Sequence, residues 1–291
     1  MLEFKKAGDY DDVIYERSGS VARITLNSPE TMNTGVKDFN KALTVVEEAD
    51  DIKVLIIKGA GRALAAGAPL NEVGFVYGWK EPKSGEKSPR TPIRNRLKFD
   101  RKVFYEGMKR LLLFPKITVV QAHGYLLGAS MDMYMNCDFL VAAEDCRLGE
   151  IEVRLGIPNL TITPMMILRC GLTNALDLCL TGRMIDGKEA ARIGLVNRAV
   201  PADKLEEEVN RYAEGFSRFA FDGIAMGKAS KQVVMDMLGV TTGLTNHWIM
   251  HTLGTNIHFE EGEFNFFKAR RDMGVREAIH KRNEFYNLLD K

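Results

Sequence analysis

The stretch with the clearest chemical potential is His123-Gly124-Tyr125-Leu126-Leu127-Gly128-Ala129-Ser130-Met131-Asp132. A β-rich run from Ile117 to Gln121 breaks there at a glycine-containing turn and re-enters as a helix. The first residues of a helix carry unpaired backbone N–H groups and partial positive charge, so such a junction can stabilise negative charge developing on a substrate oxygen. Asp132 adds a carboxylate one turn into that helix. A second stretch, Gly59-Ala60-Gly61-Arg62-Ala63-Leu64-Ala65-Ala66-Gly67-Ala68-Pro69-Leu70, is built mostly of small residues, which let backbone N–H groups approach a ligand or simply make a tight connection. The segment from Lys80 to Lys102 is much richer in Lys and Arg than in acids and contains Pro82, Pro89 and Pro92; it reads as a surface insertion, either a solvated charged face, a lid or a site for a substrate's phosphates. His247 and His251 stand four apart on a predicted helix, a spacing compatible with a metal. With no acidic or cysteine third ligand near them in sequence, no metal site is expected.

The elements that must position these residues follow from hydrophobic period and turn chemistry. Val13 to Glu16 and Val21 to Leu26 have strand character and flank Arg17-Ser18-Gly19-Ser20, which predicts a hairpin. Apolar residues at 36, 39, 43 and 46 predict an amphipathic helix from Val36 to about Ala49, and Val54-Leu55-Ile56-Ile57 reads as a strand buried on both faces. Strand, helix and strand together suggest a right-handed βαβ unit. Further helices are predicted from about Phe99 to Leu113, from the active turn to about Cys137, and from about Thr163 to Cys170. Phe139 to Ala142 and Val196 to Val200 read as strands. Asp186, with Glu189 three positions later, reads as the cap of a short helix. From Ala202 onward the chain looks mainly helical. The expected organisation is an α/β core over residues 1–200 and a C-terminal helical region over 201–291.

With 40 basic and 39 acidic residues, the chain has no bulk field to steer it to nucleic acid or membrane, so any anion recognition is local. The four cysteines lack C-x-x-C spacing and sit in hydrophobic contexts, which suits reduced thiols inside a cell. The N-terminus lacks the apolar run of a signal peptide, and no stretch approaches the roughly 20 apolar residues of a membrane span. A cytoplasmic location is expected.

Three stretches taken in order carry a resemblance: Arg62 to Leu70; Gly124 to Asp132 with Cys137-Asp138; and Leu148-Gly149-Glu150-Ile151-Glu152 with Leu155-Gly156-Ile157-Pro158. Asn27-Ser28-Pro29-Glu30-Thr31-Met32-Asn33, Leu180-Thr181-Gly182-Arg183 and Ala190 to Asn197 add to it. Over about residues 12 to 270 the chain resembles the crotonase (enoyl-CoA hydratase/isomerase) superfamily, nearest to enoyl-CoA hydratases. The resemblance implies a ββα spiral core, a C-terminal helical trimerisation region and a homotrimer or a hexamer of two trimers. It also implies an acyl-CoA thioester as substrate, with coenzyme A as part of that substrate and no separate cofactor. Carried over residue by residue, the backbone N–H groups of Ala68 and Ala129 form the oxyanion hole. Asp132 and Glu152 become the catalytic carboxylates, Glu152 as the main acid/base and Asp132 as the group that orients water. Ala66, Gly67, Leu70 and Gly128 are implied as substrate-binding positions, and His123, just before the active turn, is a further substrate-binding candidate whose alternative is a structural role.

Departures from the family pattern bear on the reaction. Hydratases usually carry Glu where Asp132 stands, and dienoyl-CoA isomerase relatives carry Asp there, with a further acid at the position of Leu160. Pro69 replaces the usual Asp but leaves the N–H of Ala68 untouched. The segment around Glu152 and Gly156-Ile157-Pro158 is also similar to hydroxycinnamoyl-CoA hydratase-lyases, which admits a bulky, cyclic or aromatic acyl group. The expected activity is reversible hydration of a 2-enoyl-CoA. The alternatives are a double-bond isomerase, a retro-Claisen C–C hydrolase acting on a β-diketone, and an RNA-binding member using the basic segment.

Overall fold

Runs of β-branched and other apolar residues set the sheet, and a computed structural model describes residues 2–73, 77, 92–156, 164–254 and 257–289. The strands are β1 (Lys5–Gly8), β2 (Val13–Ser18), β3 (Val21–Leu26), β4 (Val54–Gly59), β5 (Ile117–Ala122), β6 (Tyr125–Leu127), β7 (Phe139–Ala143), β8 (Arg147–Gly149) and β9 (Arg198–Val200). The main sheet has the order β1-β2-β3-β4-β5-β7-β9, and β6 pairs with β8 in a small second sheet. The pairings β1 to β2 and β2 to β3 are antiparallel, and every later pairing is parallel. Leu55, Ile56 and Ile57 are fully buried, as expected for a strand covered on both faces.

Helix α1 (Phe39–Glu48) joins the parallel strands β3 and β4 and buries Ala42, Leu43 and Val46. It starts later than its apolar period suggests. The Asp12 carboxylate accepts the N–H groups of Lys37 and Asp38 at 2.7 and 3.0 Å, which holds the segment before Phe39 out of the helix. The expected helix from Phe99 begins earlier, as α2 (Ile93–Asp100), and continues through a π-helical segment, Arg101–Gly107, into α3 (Met108–Leu112). Of the basic insertion, 80–91 lies outside the described residues. Strand β1 went unforeseen because Lys5 and Lys6 give it a charged, exposed edge.

Around the active turn the chain makes strand β6 before entering α4 (Ala129–Tyr134), so the strand–turn–helix junction expected there contains an extra strand. Helix α5 (Pro164–Thr181) runs past the expected end at Cys170 because it bends at Gly171 (φ 75, ψ 161) instead of stopping. Helix α6 (Gly187–Arg192) is capped as predicted, with Asp186 accepting the N–H of Glu189 at 2.8 Å. Helix α7 (Leu205–Ser217) lays Leu205, Val209 and Ala213 on β4, β5 and β7. Then follow α8 (Phe221–Met237), α9 (Val240–Gly254), α10 (Phe266–Met273) and α11 (Val275–Phe285). Among the described residues no helix is long and apolar enough to cross a membrane. All four cysteines are free and buried, and burial pushes the Cys137 and Cys146 thiols up to about 12.

Candidate active site

Two loops distant in sequence are stitched into one backbone surface. The N–H of Leu64 donates to the His123 carbonyl (2.9 Å), that of Ala65 to the Tyr125 carbonyl (3.2 Å), and that of Leu127 to the Ala65 carbonyl (3.3 Å). Asn33, buried and in the left-handed region, donates through Nδ2 to the carbonyls of Ala60, Ala63 and Leu64, locking the small-residue loop from behind. The loop then crosses the active turn at Gly67. A Cβ there would lie 3.0 Å from the Leu127 carbonyl oxygen at a φ of +81°, so only glycine permits the approach. The Gly67 N–H donates to Ser130 Oγ at 3.1 Å. This crossing brings Ala68 and Ala129 to the wall of one cavity.

The carboxylates arrive through the small sheet. Pairing of β6 with β8 continues as a bond from the Gly128 N–H to the Gly149 carbonyl (2.9 Å), which lays Glu150 to Glu152 beside the helix start. Glu152 Oε1 then accepts the Ala129 N–H at 2.9 Å. A Cβ on Gly128 would fall 1.9 Å from that same oxygen, so the contact requires glycine. The hydrogen-bond donor that the resemblance assigns to an oxyanion therefore already holds a carboxyl oxygen. Asp132 is buried on α4, and burial together with the charge of Glu152 holds its carboxyl well above the usual carboxylate range. Burial also raises Glu152, but its own backbone N–H, the Ala129 N–H and the His251 ring oppose the rise.

Helix α9 completes the cavity of about 960 Å³ with two histidines. His247 Nε2 lies 3.9 Å from Asp132 Oδ2, and His251 Nδ1 lies 3.2 Å from Asp100 Oδ2 without the alignment of a hydrogen bond. Phe104, on the π-helical segment, packs against both rings. From the other side α10 contributes Lys268, Arg270 and Arg271 to the wall, and Arg270 donates to the carbonyls of Leu70 and Val73 at 2.7 and 2.9 Å, which fixes α10 to the loop after Ala68. Phe259 fills the place where a Cβ of Gly156 would stand.

Of the sequence-predicted positions, Ala66, Gly67, Ala68, Leu70, Gly128, Ala129, Asp132 and Glu152 line this cavity. His123 does not; its Nε2 lies 3.0 Å from the Gly61 carbonyl oxygen, bracing the loop. From the basic segment, Arg96 and Lys102 reach the wall. Gly156 is described, whereas Ile157, Pro158 and Leu160 lie outside the described residues. Sequence reasoning missed Glu150, Asp100 and the placement of the histidines. The available signals were the Glu-Ile-Glu alternation and the four-residue histidine spacing, which marks one helix face.

The chain is similar to known proteins in sequence and fold. The sequence profile described as Enoyl-CoA hydratase/isomerase matches residues 16–272. The chain is 30% identical over 224 residues to a probable enoyl-CoA hydratase of Mycobacterium bovis, covering 75% of this chain and 80% of that protein. It is 28% identical to a probable enoyl-CoA hydratase of Rhizobium meliloti, covering 94% of this chain and 96% of that one. The crystal structure of an enoyl-CoA hydratase/isomerase from Xanthobacter autotrophicus Py2 superposes with a TM-score of 0.82 at 26% identity, covering 95% of this chain and 98% of that one.

Proposed function

Because the chain belongs to the enoyl-CoA hydratase/isomerase family, we propose that it adds water reversibly across the 2,3 double bond of an acyl-CoA thioester. The observation that carries this reading is a pair of buried carboxyl groups, both raised in proton affinity by burial, beside the backbone N–H of Ala129. The thioester oxygen takes the N–H groups of Ala68 and Ala129, displacing Glu152 Oε1 from the latter. Conjugation moves charge onto that oxygen as the nucleophile adds at C3, and each preorganised donor contributes about 3 kcal/mol to such a transition state.

Displacement also changes Glu152. Losing the Ala129 N–H removes one of the interactions that held its carboxyl down, so binding of substrate makes Glu152 a stronger base. Glu152 takes a proton from water as the oxygen bonds to C3, and then returns that proton to C2 of the enolate. Asp132 keeps its own proton through the cycle and orients the water by hydrogen bonding. The balance is one water consumed and one C–O and one C–H bond formed. Lys268, Arg270 and Arg271 suit the phosphates of coenzyme A.

The same site could shift a double bond or cleave a β-diketone, and product mass separates the three reactions. Purified protein is to be incubated with short, medium, cyclic and aromatic 2-enoyl-CoAs and the products weighed. Gain of one water on at least one thioester supports hydration; an unchanged mass with a moved double bond, or cleavage on a diketone alone, overturns it. The reading includes a homotrimer, supported by exposed apolar side chains such as Met226, Val233 and Met237 on α8 and Leu172 on α5. Light scattering of the purified protein would contradict it by giving a monomer mass.

A further inference from the structure

Much of the cavity wall is hydrocarbon, supplied by Val36, Phe39, Leu43, Val103, Phe104 and Leu111. A polar patch away from the reacting carboxyls interrupts it. Asp100, with no exposed surface, accepts hydrogen bonds from Tyr77 Oη at 2.9 Å and Thr252 Oγ1 at 2.7 Å, and its Oδ2 lies 3.2 Å from His251 Nδ1. Asp100 and Thr252 stand behind the wall, whereas Tyr77 and His251 are part of it. Burying a carboxylate and its partners costs several kcal/mol before pairing, and a wall meant only for a hydrocarbon chain has no use for it.

What the patch presents is set by where its protons go. Tyr77 gives its hydroxyl proton to Asp100, so its oxygen offers only lone pairs to the cavity. His251 sets its buried Nδ1 beside that carboxylate and keeps 16% of its side chain exposed. Tyr77 therefore turns an acceptor toward the substrate, with the His251 ring held on the same carboxylate. His251 stands one helical turn beyond His247, about 6 Å along α9, and His247 is the histidine beside Asp132. We propose that Tyr77 and His251, oriented by Asp100, form a subsite for a hydroxyl group carried on the acyl chain several carbons beyond the reacting double bond. This inference rests on the acyl-CoA reading of the cavity.

The test uses saturated acyl-CoAs, which cannot be hydrated, titrated calorimetrically into the full-length protein. Each chain is supplied plain, with a hydroxyl placed successively farther from the thioester, and with a keto group at the same places. The quantity read is the affinity ratio, substituted over plain, within each protein. For the unaltered protein one hydroxyl position is expected to bind about tenfold tighter than the plain chain, roughly 1.4 kcal/mol, and tighter than the keto chain at that position, which has no proton to give the Tyr77 oxygen. His251→Leu and, as a milder change, Tyr77→Phe are each expected to bring the hydroxyl ratio close to unity. Equal ratios throughout the series, a keto gain that matches the hydroxyl gain, or a hydroxyl gain that survives both substitutions would overturn the proposal. A loss of thermal stability in the variants with no change in ratio would show the patch to be only a tie between α2 and α9. Preferential binding without hydration of any unsaturated counterpart would defeat the hydratase reading and leave the subsite standing; hydration without the preference does the reverse.

Discussion

Asp132 and Asp138 stand on either side of the end of α4, both shielded from solvent, and the protein treats them in opposite ways. Asp138 receives Lys228 at 2.6 Å and Lys231 at 2.8 Å from α8, together with the N–H and hydroxyl of Thr118. These lysines hold its carboxyl below the usual range in spite of burial. Asp132 receives another carboxylate, Glu152, and a histidine no nearer than 3.9 Å, so its carboxyl is held high. The fold can therefore pair a buried anion when it needs one. At the cavity it leaves a proton unassigned between acids, which suits chemistry that moves a proton.

The contrast can be broken at either end. The largest effect is expected for Glu152→Gln, which keeps the shape but removes the base; kcat for hydration should fall by about 10² to 10⁴, and retention of rate by this variant would remove Glu152 from the mechanism. Next comes Lys228→Met. With one of its two lysines gone, Asp138 is underpaired, and unfolding in urea should show a loss of about 3 kcal/mol; no loss would mean that the lysines are ornamental. Asp132→Asn should do the opposite, lowering kcat while leaving stability at neutral pH within about 1 kcal/mol of the parent or above it, since the amide replaces a carboxyl whose charged form burial disfavours.

The pH dependence is the smallest effect and sharpens the same point. Asp132 binds its proton more tightly folded than unfolded, so its contribution to stability is complete below the ordinary carboxylate value of about 3.9 and is lost as pH rises toward its folded value. Asp138 binds its proton less tightly folded than unfolded. Its contribution is complete above the ordinary value and is lost as pH falls through it. Urea titrations of the unaltered protein and Asp132→Asn across this range should therefore diverge as pH rises, the unaltered protein losing ground; parallel curves would contradict the assignment.

Legibility in the sequence followed how local each feature is. The glycine turn before Ala129 and the small-residue loop to Ala68 stand out in sequence as short runs, with Gly67 and Gly128 constrained by close approach, whereas the pairing of Asp132 with Glu152 and of the Ala68 and Ala129 N–H groups comes only from the family resemblance carried over position by position. Cap chemistry at Asp186 was equally local. The cluster at Asp100 was not legible, since its partners Tyr77, His251 and Thr252 come from distant segments and meet only when α2 packs on α9. Glu150 looks in sequence like a solvated neighbour of Glu152, and only the pairing of β6 with β8 buries it. His123 misled in the other direction: its place before the turn suggested the cavity, but its ring is taken by the Gly61 carbonyl.

The central claim is that Glu152 carries the proton between water and C2. It is tested most directly by running the hydration of a 2-enoyl-CoA in deuterium oxide and locating the label by mass spectrometry and proton resonance, for the unaltered protein and for Glu152→Gln. The account predicts one deuterium at C2 of the 3-hydroxyacyl product from the unaltered protein, and no product formation at a comparable rate from the variant. Deuterated product from Glu152→Gln at the parent rate, or product without deuterium at C2, would contradict it.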